Sequence, residues 1–368
     1  MYCKQVLWKA FHYQLDHHPQ NTDIAYAQYT AVNQLFAQAI AAVHRAGDVV
    51  WVNDYHLMLV PAMLRSLLPT ATIGFFLHVP FPASEIFRCL PARRQLLLGM
   101  LGADLIGFQI YAFLRHFRMA CSRILALDSN PASIQLQDST AAVGIYPIGI
   151  DLHALSRKRS DPQMQDLVVS MADKFVNKKI LIGRDKNDYV KGVRHKLVAY
   201  ETFLSQHPEW VGKVVLIQVA LSTSILNESS VSDVVDRINS KFGTIESVAC
   251  IYLHQDISFA HYLALLTIAD VCLITSLRDG MNLTSHEYVI CQDVKRSPLV
   301  MSEFTGTYGS FQSALRVNPW NAQEVADAIL EALTMSQDEK SYRWQMLYNY
   351  VAANTGTLQY LFSSNLCQ

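Results

Sequence analysis

Residues able to do chemistry fall in a few short stretches, each placed just after a run of apolar residues. The most informative is Thr275-Ser276-Leu277-Arg278-Asp279-Gly280-Met281-Asn282-Leu283-Thr284-Ser285-His286-Glu287, which turns at a glycine and leads into a segment of helical period. Such a turn presents unsatisfied backbone N–H groups at a helix N-terminus, where the helix dipole also favours an anion such as a diphosphate. Asp279 lies in the turn and Glu287 in the helix, so the pair could accept hydrogen bonds from hydroxyls at two ends of a nucleotide sugar. The alternative is that Asp279 caps the helix and Glu287 is merely solvated. A second stretch, Gly183-Arg184-Asp185-Lys186-Asn187-Asp188-Tyr189-Val190-Lys191-Gly192, puts several cations between a strand-like and a helical run. Lys191 is its candidate diphosphate contact, because an ammonium acts as a compact point charge. The alternative is an exposed lysine before a helix. In the first half, Asn53-Asp54-Tyr55-His56 and Leu77-His78-Val79-Pro80-Phe81-Pro82 follow successive apolar runs. Residues at the carboxyl ends of adjacent strands face one crevice, so Asp54 and His78 are a candidate polar pair for a hydroxylated acceptor. A histidine in such a place is otherwise a hydrogen-bonded structural residue.

The elements that must position these residues are legible from periodicity. Apolar runs rich in Val, Ile and Phe predict strands over 49–53, 72–77, 104–108, 179–183, 213–219, 249–253, 270–275 and 298–302. Three- and four-residue apolar spacing predicts helices over 23–45, 90–102, 111–127, 193–206, 230–241 and 258–267. Alternation of this kind gives an α/β fold, parallel sheets with helices on both faces. A break at 145–155 precedes a polar stretch, dividing the chain into lobes 1–150 and 151–335 with a C-terminal helical segment 336–368. Two doubly wound lobes in series predict a ligand cleft at the carboxyl ends of their strands.

Composition removes several function classes. The 368 residues are 51% hydrophobic and 17% charged, as a large buried core requires. A net charge of −1, from 30 basic and 31 acidic residues without a basic block, leaves no footprint for nucleic acid. The longest apolar runs stop far short of the roughly 18 residues of a membrane span, and the N-terminus does not read as a secretory signal, so cytoplasm is expected. The seven cysteines are scattered and read as reduced thiols. His17 and His18 lack further ligands nearby, and no metal is expected.

The same stretches resemble the trehalose-6-phosphate synthase family, retaining glucosyltransferases of family 20 with two-lobed GT-B architecture. The resemblance runs through Leu7-Trp8-Lys9-Ala10-Phe11-His12-Tyr13, Trp51-Val52-Asn53-Asp54-Tyr55-His56, Gly74-Phe75-Phe76-Leu77-His78-Val79-Pro80-Phe81-Pro82, Asp188-Tyr189-Val190-Lys191-Gly192, Ser302-Glu303-Phe304-Thr305-Gly306 and Val317-Asn318-Pro319-Trp320. It implies transfer of glucose from UDP-glucose to glucose 6-phosphate, with no cofactor beyond the donor substrate. It further implies that Asp279 and Glu287 bind the donor's glucose and ribose, while Lys191 and the backbone of Met281, Asn282 and Leu283 hold the diphosphate. His78 would touch the transferred glucose, and Asp54 and Trp8 the acceptor. Lys186, two residues before the Asp188-Tyr189 pair, stands where active members carry arginine, which loses a bidentate fork. Ser222-Thr223-Ser224 replaces a proline-serine-arginine motif, and the family's first strand and glycine-containing loop are expected to lie before Met1. The wording is more similar to fungal synthase-like regulatory or phosphatase-linked subunits of the trehalose synthase complex, although no phosphatase signature occurs. The expectation is a regulatory-type or weakly active subunit, partnered by other subunits of such a complex, with a fully active synthase or a glucosyltransferase for another acceptor as the alternatives.

Overall fold

The computed structural model describes residues 1–15, 21–221, 228–244 and 247–356. Ser222, Thr223, Ser224, His17, His18 and Cys367 lie outside them. The chain forms two compact units, Met1–Ile148 and Gly149–Thr355, each built on its own sheet.

The first sheet contains β1 (Val49–Asn53), β2 (Thr72–Leu77), β3 (Leu105–Phe108), β4 (Ser133–Gln135) and β5 (Thr140–Ile145), in the order β1-β2-β3-β5-β4. Every pairing is parallel except β4 with β5. β2 is buried from Ile73 to Leu77, which is why it reads as an unbroken apolar run rather than an alternating one. Phe75, Leu77, Phe81, Phe87, Phe108 and Phe117 fill one core beside it. Burial of each such side chain stabilises the fold by about 1.5–3 kcal/mol before chain entropy is counted.

The second sheet contains β6 (Lys179–Lys186), β7 (Val214–Leu221), β8 (Cys250–Leu253), β9 (Val271–Ile274), β10 (Leu299–Ser302) and β11 (Leu315–Val317), all parallel. Its order is β11-β10-β9-β6-β7-β8, the 3-2-1-4-5-6 pattern of dinucleotide-binding sheets read from the other edge. Side chains alternate between two cores, one for each covered face. Ile180, Ile182, Cys272 and Ile274 enter one core, and Leu181, Val271 and Leu273 enter the other. The strand order reverses between β6 and β9, so their carboxyl ends flank an open crevice. The helix Gln337–Ala353 packs against the helix Leu283–Cys291 within this second unit. Among the described residues no helix is long and apolar enough to cross a membrane.

Candidate functional site

In the second unit the crevice is built by three loops that follow β6, β9 and β10. Asp188 starts the first loop, its carboxylate accepting from the Val190 N–H at 3.3 Å. The loop ends at Gly192, whose φ of +66° is left-handed and whose missing Cβ would lie 2.0 Å from the Thr275 carbonyl. Leu277 N–H donates to Val190 O at 2.7 Å and Thr275 Oγ1 donates to Gly192 O at 3.0 Å, so the first two loops are stitched together. The third loop closes as tightly, because a Cβ on Gly306 would sit 1.7 Å from the Gly280 carbonyl.

This stitching brings Lys191 and Asp279, 88 residues apart in sequence, to a 2.9 Å ion pair with both side chains mostly buried. Burial pushes the Lys191 ammonium down, but the Asp279 carboxylate, with Asp185 and Asp188 behind it, outweighs that and raises it above its ordinary value. Lys191 therefore stays charged. Asp279 also accepts from Asn282 Nδ2 at 3.2 Å and Ser276 Oγ at 3.4 Å, and its Oδ1 from the Gly280 N–H at 3.0 Å. Asp279 is not the helix cap. That role falls to Asn282, whose Oδ1 accepts from the Ser285 N–H at 3.0 Å. The first-turn N–H groups of Leu283 and Thr284 have no acceptor within their own helix, as at any helix start. Met281 Sδ and Asn282 N–H both meet Thr307 Oγ1, at 3.2 and 3.1 Å, tying the turn to the third loop.

Glu287 is not simply solvated either. It accepts a hydrogen bond from the Tyr262 hydroxyl, and the Arg184 guanidinium lies 4.4 Å from the centroid of the same tyrosine ring. Burial raises its carboxyl above the usual carboxylate range, with Tyr262 and Arg184 opposing. Lys186 closes β6 with an exposed side chain. Beneath that strand end a fully buried Lys196 donates to Asp185 at 2.6 Å and to Gln218 at 2.9 Å.

His286, one residue before Glu287, donates from Nδ1 to the Asn282 carbonyl at 3.1 Å when that nitrogen carries its proton. Burial lowers its ring from the ordinary 6.5 to about 4. The unfolded chain therefore binds this proton first as pH falls, so the stabilisation is complete above about pH 6.5 and is lost toward pH 4. The full span corresponds to about 3 kcal/mol. His286→Phe keeps the ring against Phe311, 4.8 Å away between centroids. Urea midpoints at pH 7 and pH 4.5 should differ less in that variant than in wild type; an equal difference would remove His286 from the acid transition.

In the first unit, three adjacent strand ends carry the polar residues. Asn53 ends β1, His78 follows β2, and Gln109 follows β3. Gln109 Oε1 accepts from the Ile148 N–H at 2.9 Å, which turns its amide nitrogen toward His78 Nδ1 at 3.3 Å. His78 Nε2 in turn lies 3.2 Å from Asn53 Oδ1. An acceptor on Nε2 and a donor on Nδ1 select the neutral Nε2–H tautomer. Burial also lowers the His78 ring below its ordinary value, with Asp54 opposing. Sequence reasoning missed Gln109; its only signal was its place after the third strand run. Gln109→Leu should leave the Ile148 N–H unpaired, costing about 1–3 kcal/mol. Nitrogen-15 spectra of the His78 ring should then show mixed tautomers where wild type shows one; an unchanged spectrum would exclude this role.

Asp54 accepts from the His78 backbone N–H at 3.2 Å, so the pair meets through main chain and not through the ring. Its own backbone, at φ 69° and ψ 172°, lies in a region nearly reserved for glycine. Such a conformation costs about 1–3 kcal/mol and clusters at functional sites. The next residue, Tyr55, lies 5.9 Å from the Trp8 ring, which meets the His12 ring in a tilted contact at 3.9 Å between centroids. The Trp8 indole N–H is buried and has no acceptor among the described residues. No group of three metal-ligating side chains occurs among the described residues.

The geometry agrees with what the chain is similar to. The family model for glycosyltransferase family 20 matches residues 1–360. An alpha,alpha-trehalose-phosphate synthase (UDP-forming) of Yarrowia lipolytica is 44% identical over 369 residues, covering 96% of this chain and 78% of the relative. The N-terminal domain of a Candida albicans trehalose-6-phosphate phosphatase superposes with a TM-score of 0.96 at 41% identity, over 100% of this chain and 80% of that one. An E. coli trehalose-6-phosphate protein bound with UDP-2-fluoro glucose gives 0.95 at 32% identity, over 100% and 83%. These matches extend over nearly the whole chain and agree with the two parallel-sheet lobes, and the chain belongs to glycosyltransferase family 20.

Proposed function

We propose that the chain binds UDP-glucose and transfers its glucose to glucose 6-phosphate in trehalose biosynthesis, with low turnover on its own and as one subunit of a larger synthase. The observation that carries this reading is the buried Lys191–Asp279 pair at the β6/β9 switch point, where open α/β sheets take nucleotide ligands. Lys191 and the N–H groups of Met281 and Leu283 hold the diphosphate, whereas the Asn282 N–H is already taken by Thr307 Oγ1. Asp279 and Glu287 accept from donor hydroxyls. His78 touches the transferred glucose, and Asp54 and Trp8, whose indole N–H has no acceptor among the described residues, face the acceptor.

The bond from glucose C1 to the diphosphate oxygen breaks, a bond from C1 to the acceptor hydroxyl oxygen forms on the same face, and the hydroxyl proton passes to the leaving phosphate. Charge grows on the diphosphate in that step, so a preorganised ammonium and helix N–H groups lower its barrier. Low turnover rests on Lys186, whose exposed ammonium supplies a point charge and not a fork. Calorimetric titration should show UDP binding, and UDP release from UDP-glucose with glucose 6-phosphate should run below about 1 per second. Faster release would favour a fully active synthase, for which the intact Lys191, Asp279 and His78 speak; absence of UDP binding would sink both readings.

A further inference from the structure

The geometry points to a second ligand site in the first unit, a basic pocket for a small phosphate-bearing molecule formed by Arg88, Arg93, Arg94 and Arg123. None of these residues takes part in the proposed sugar transfer. A cavity of about 430 Å³ is lined by these four arginines with Ser84 and Ile124. That volume falls within the range of small-molecule sites. The charge is unbalanced. Arg123 pairs with Glu85 and donates to Ser84 Oγ at 2.9 Å, but among the described residues no ion pair involves Arg88, Arg93 or Arg94. Arg94 spends one nitrogen on the Ile124 carbonyl at 2.6 Å and Arg93 one on the Leu90 carbonyl at 3.3 Å, which orients both guanidinium groups. Each guanidinium has five N–H donors, so most remain for an occupant.

Two of these residues stand where folding alone would not put them. Arg93 and Arg94 open the helix Arg93–Met100, and its N-cap, Ala92, offers no side-chain acceptor. Cations at a helix N-terminus oppose the macrodipole and cost about 0.3–1 kcal/mol each. Such broken local rules concentrate at functional sites, and the carbonyl bonds of Arg93 and Arg94 orient the two groups without neutralising their charge. An anion in the pocket supplies that neutralisation. Guanidinium forks match phosphate oxygens bidentately, and three uncompensated cations call for a ligand with two or more negative charges.

The test is calorimetric titration of the full chain with sodium pyrophosphate, inorganic phosphate, glucose 6-phosphate and citrate at low salt. Wild type should show a pyrophosphate event with a Kd on the order of 0.1–1 mM that weakens as salt rises. Arg88→Gln with Arg93→Gln should weaken it at least tenfold, while Lys191→Gln leaves it in place. Arg88 is exposed and makes no ion pair among the described residues, so Arg88→Gln alone gives a folded variant for the same reading. A glucose 6-phosphate event that is lost with the arginine substitutions and is tighter than that of inorganic phosphate would assign the site to sugar phosphates, and the reverse to free phosphate. A pyrophosphate isotherm unchanged by the arginine substitutions, no binding at millimolar concentration, or tighter binding of citrate would overturn the assignment. Because Lys191 and the arginines are varied separately, failure here is distinguishable from failure of UDP binding.

Discussion

Lys191→Gln should weaken UDP-glucose binding by about 10- to 100-fold, the worth of one or two charge-assisted bonds to a diphosphate. The same change strands a mostly buried carboxylate, because Asp279 loses the cation 2.9 Å away. Breaking a buried pair from one side costs about 3–5 kcal/mol of stability. The lower end applies here, since Ser276, Gly280 and Asn282 still donate to Asp279. A second substitution separates the two effects. Asp279→Asn added to Lys191→Gln should restore most of the stability, by removing the stranded charge, and none of the binding. Urea midpoints and the UDP-glucose isotherm measured on both variants check this. If the double variant regained affinity along with stability, Lys191 would be a structural lysine only.

Gly306→Ala is expected to have a comparably large effect through packing alone. The added methyl would sit 1.7 Å from the Gly280 carbonyl, a backbone atom that cannot swing aside. Either the third loop or the turn at 279–282 must move, and Asp279 is bound to both by the Asp279 N–H to Phe304 O and Gly306 N–H to Asp279 O bonds, each 3.2 Å. A loss of about 3 kcal/mol or more is expected, with loss of UDP affinity because the turn's N–H groups shift. Gly309→Ala is the control. Nothing lies within 4 Å of a Cβ there, so its denaturation midpoint should stay within about 0.5 kcal/mol of wild type. Equal behaviour of the two variants would show that the loops are not packed as described.

The buried strands were clearest where both faces are covered, as at β2, β3 and in the second sheet. β1 and β2 occupy the predicted residues, and β6 runs three residues past the predicted 183, through the polar Arg184, Asp185 and Lys186. Hydrophobicity could not report that extension, since backbone pairing with β7 up to Lys186–Leu221 holds it. β4 and β5 were not predicted as a pair: β4 is three residues long and antiparallel at the sheet edge, where little burial marks it. The polar stretch after 155 was read without structure, yet it holds the helices Leu152–Arg159 and Pro162–Asp173. Their start signals were present in Asp151 and Asp161, which cap them, with Pro162 in the first turn. Each helix has one buried residue, Leu155 and Met164, so the apolar period was faint.

The candidate site divides the same way. Lys191, Asp279 and His78 were readable because each follows a strand, and strand ends are where α/β sheets place polar groups. Their partners were not readable. Tyr262 reaches Glu287, Thr307 reaches Asn282, and Gln109 reaches His78 across 25, 25 and 31 residues. No local spacing rule spans such separations. The alternative sequence reading makes Asp279 the cap on the helix Leu283–Cys291, but Asn282 holds it because it stands directly before the first helical residue.

The most direct measurement is a crystal structure of the chain soaked with UDP. The diphosphate should lie about 3 Å from Lys191 Nζ and the N–H groups opening the helix Leu283–Cys291, with a ribose hydroxyl on Glu287. UDP bound elsewhere, with the Lys191–Asp279 pair undisturbed and Glu287 still held only by Tyr262, would contradict a nucleotide site at the β6/β9 switch point.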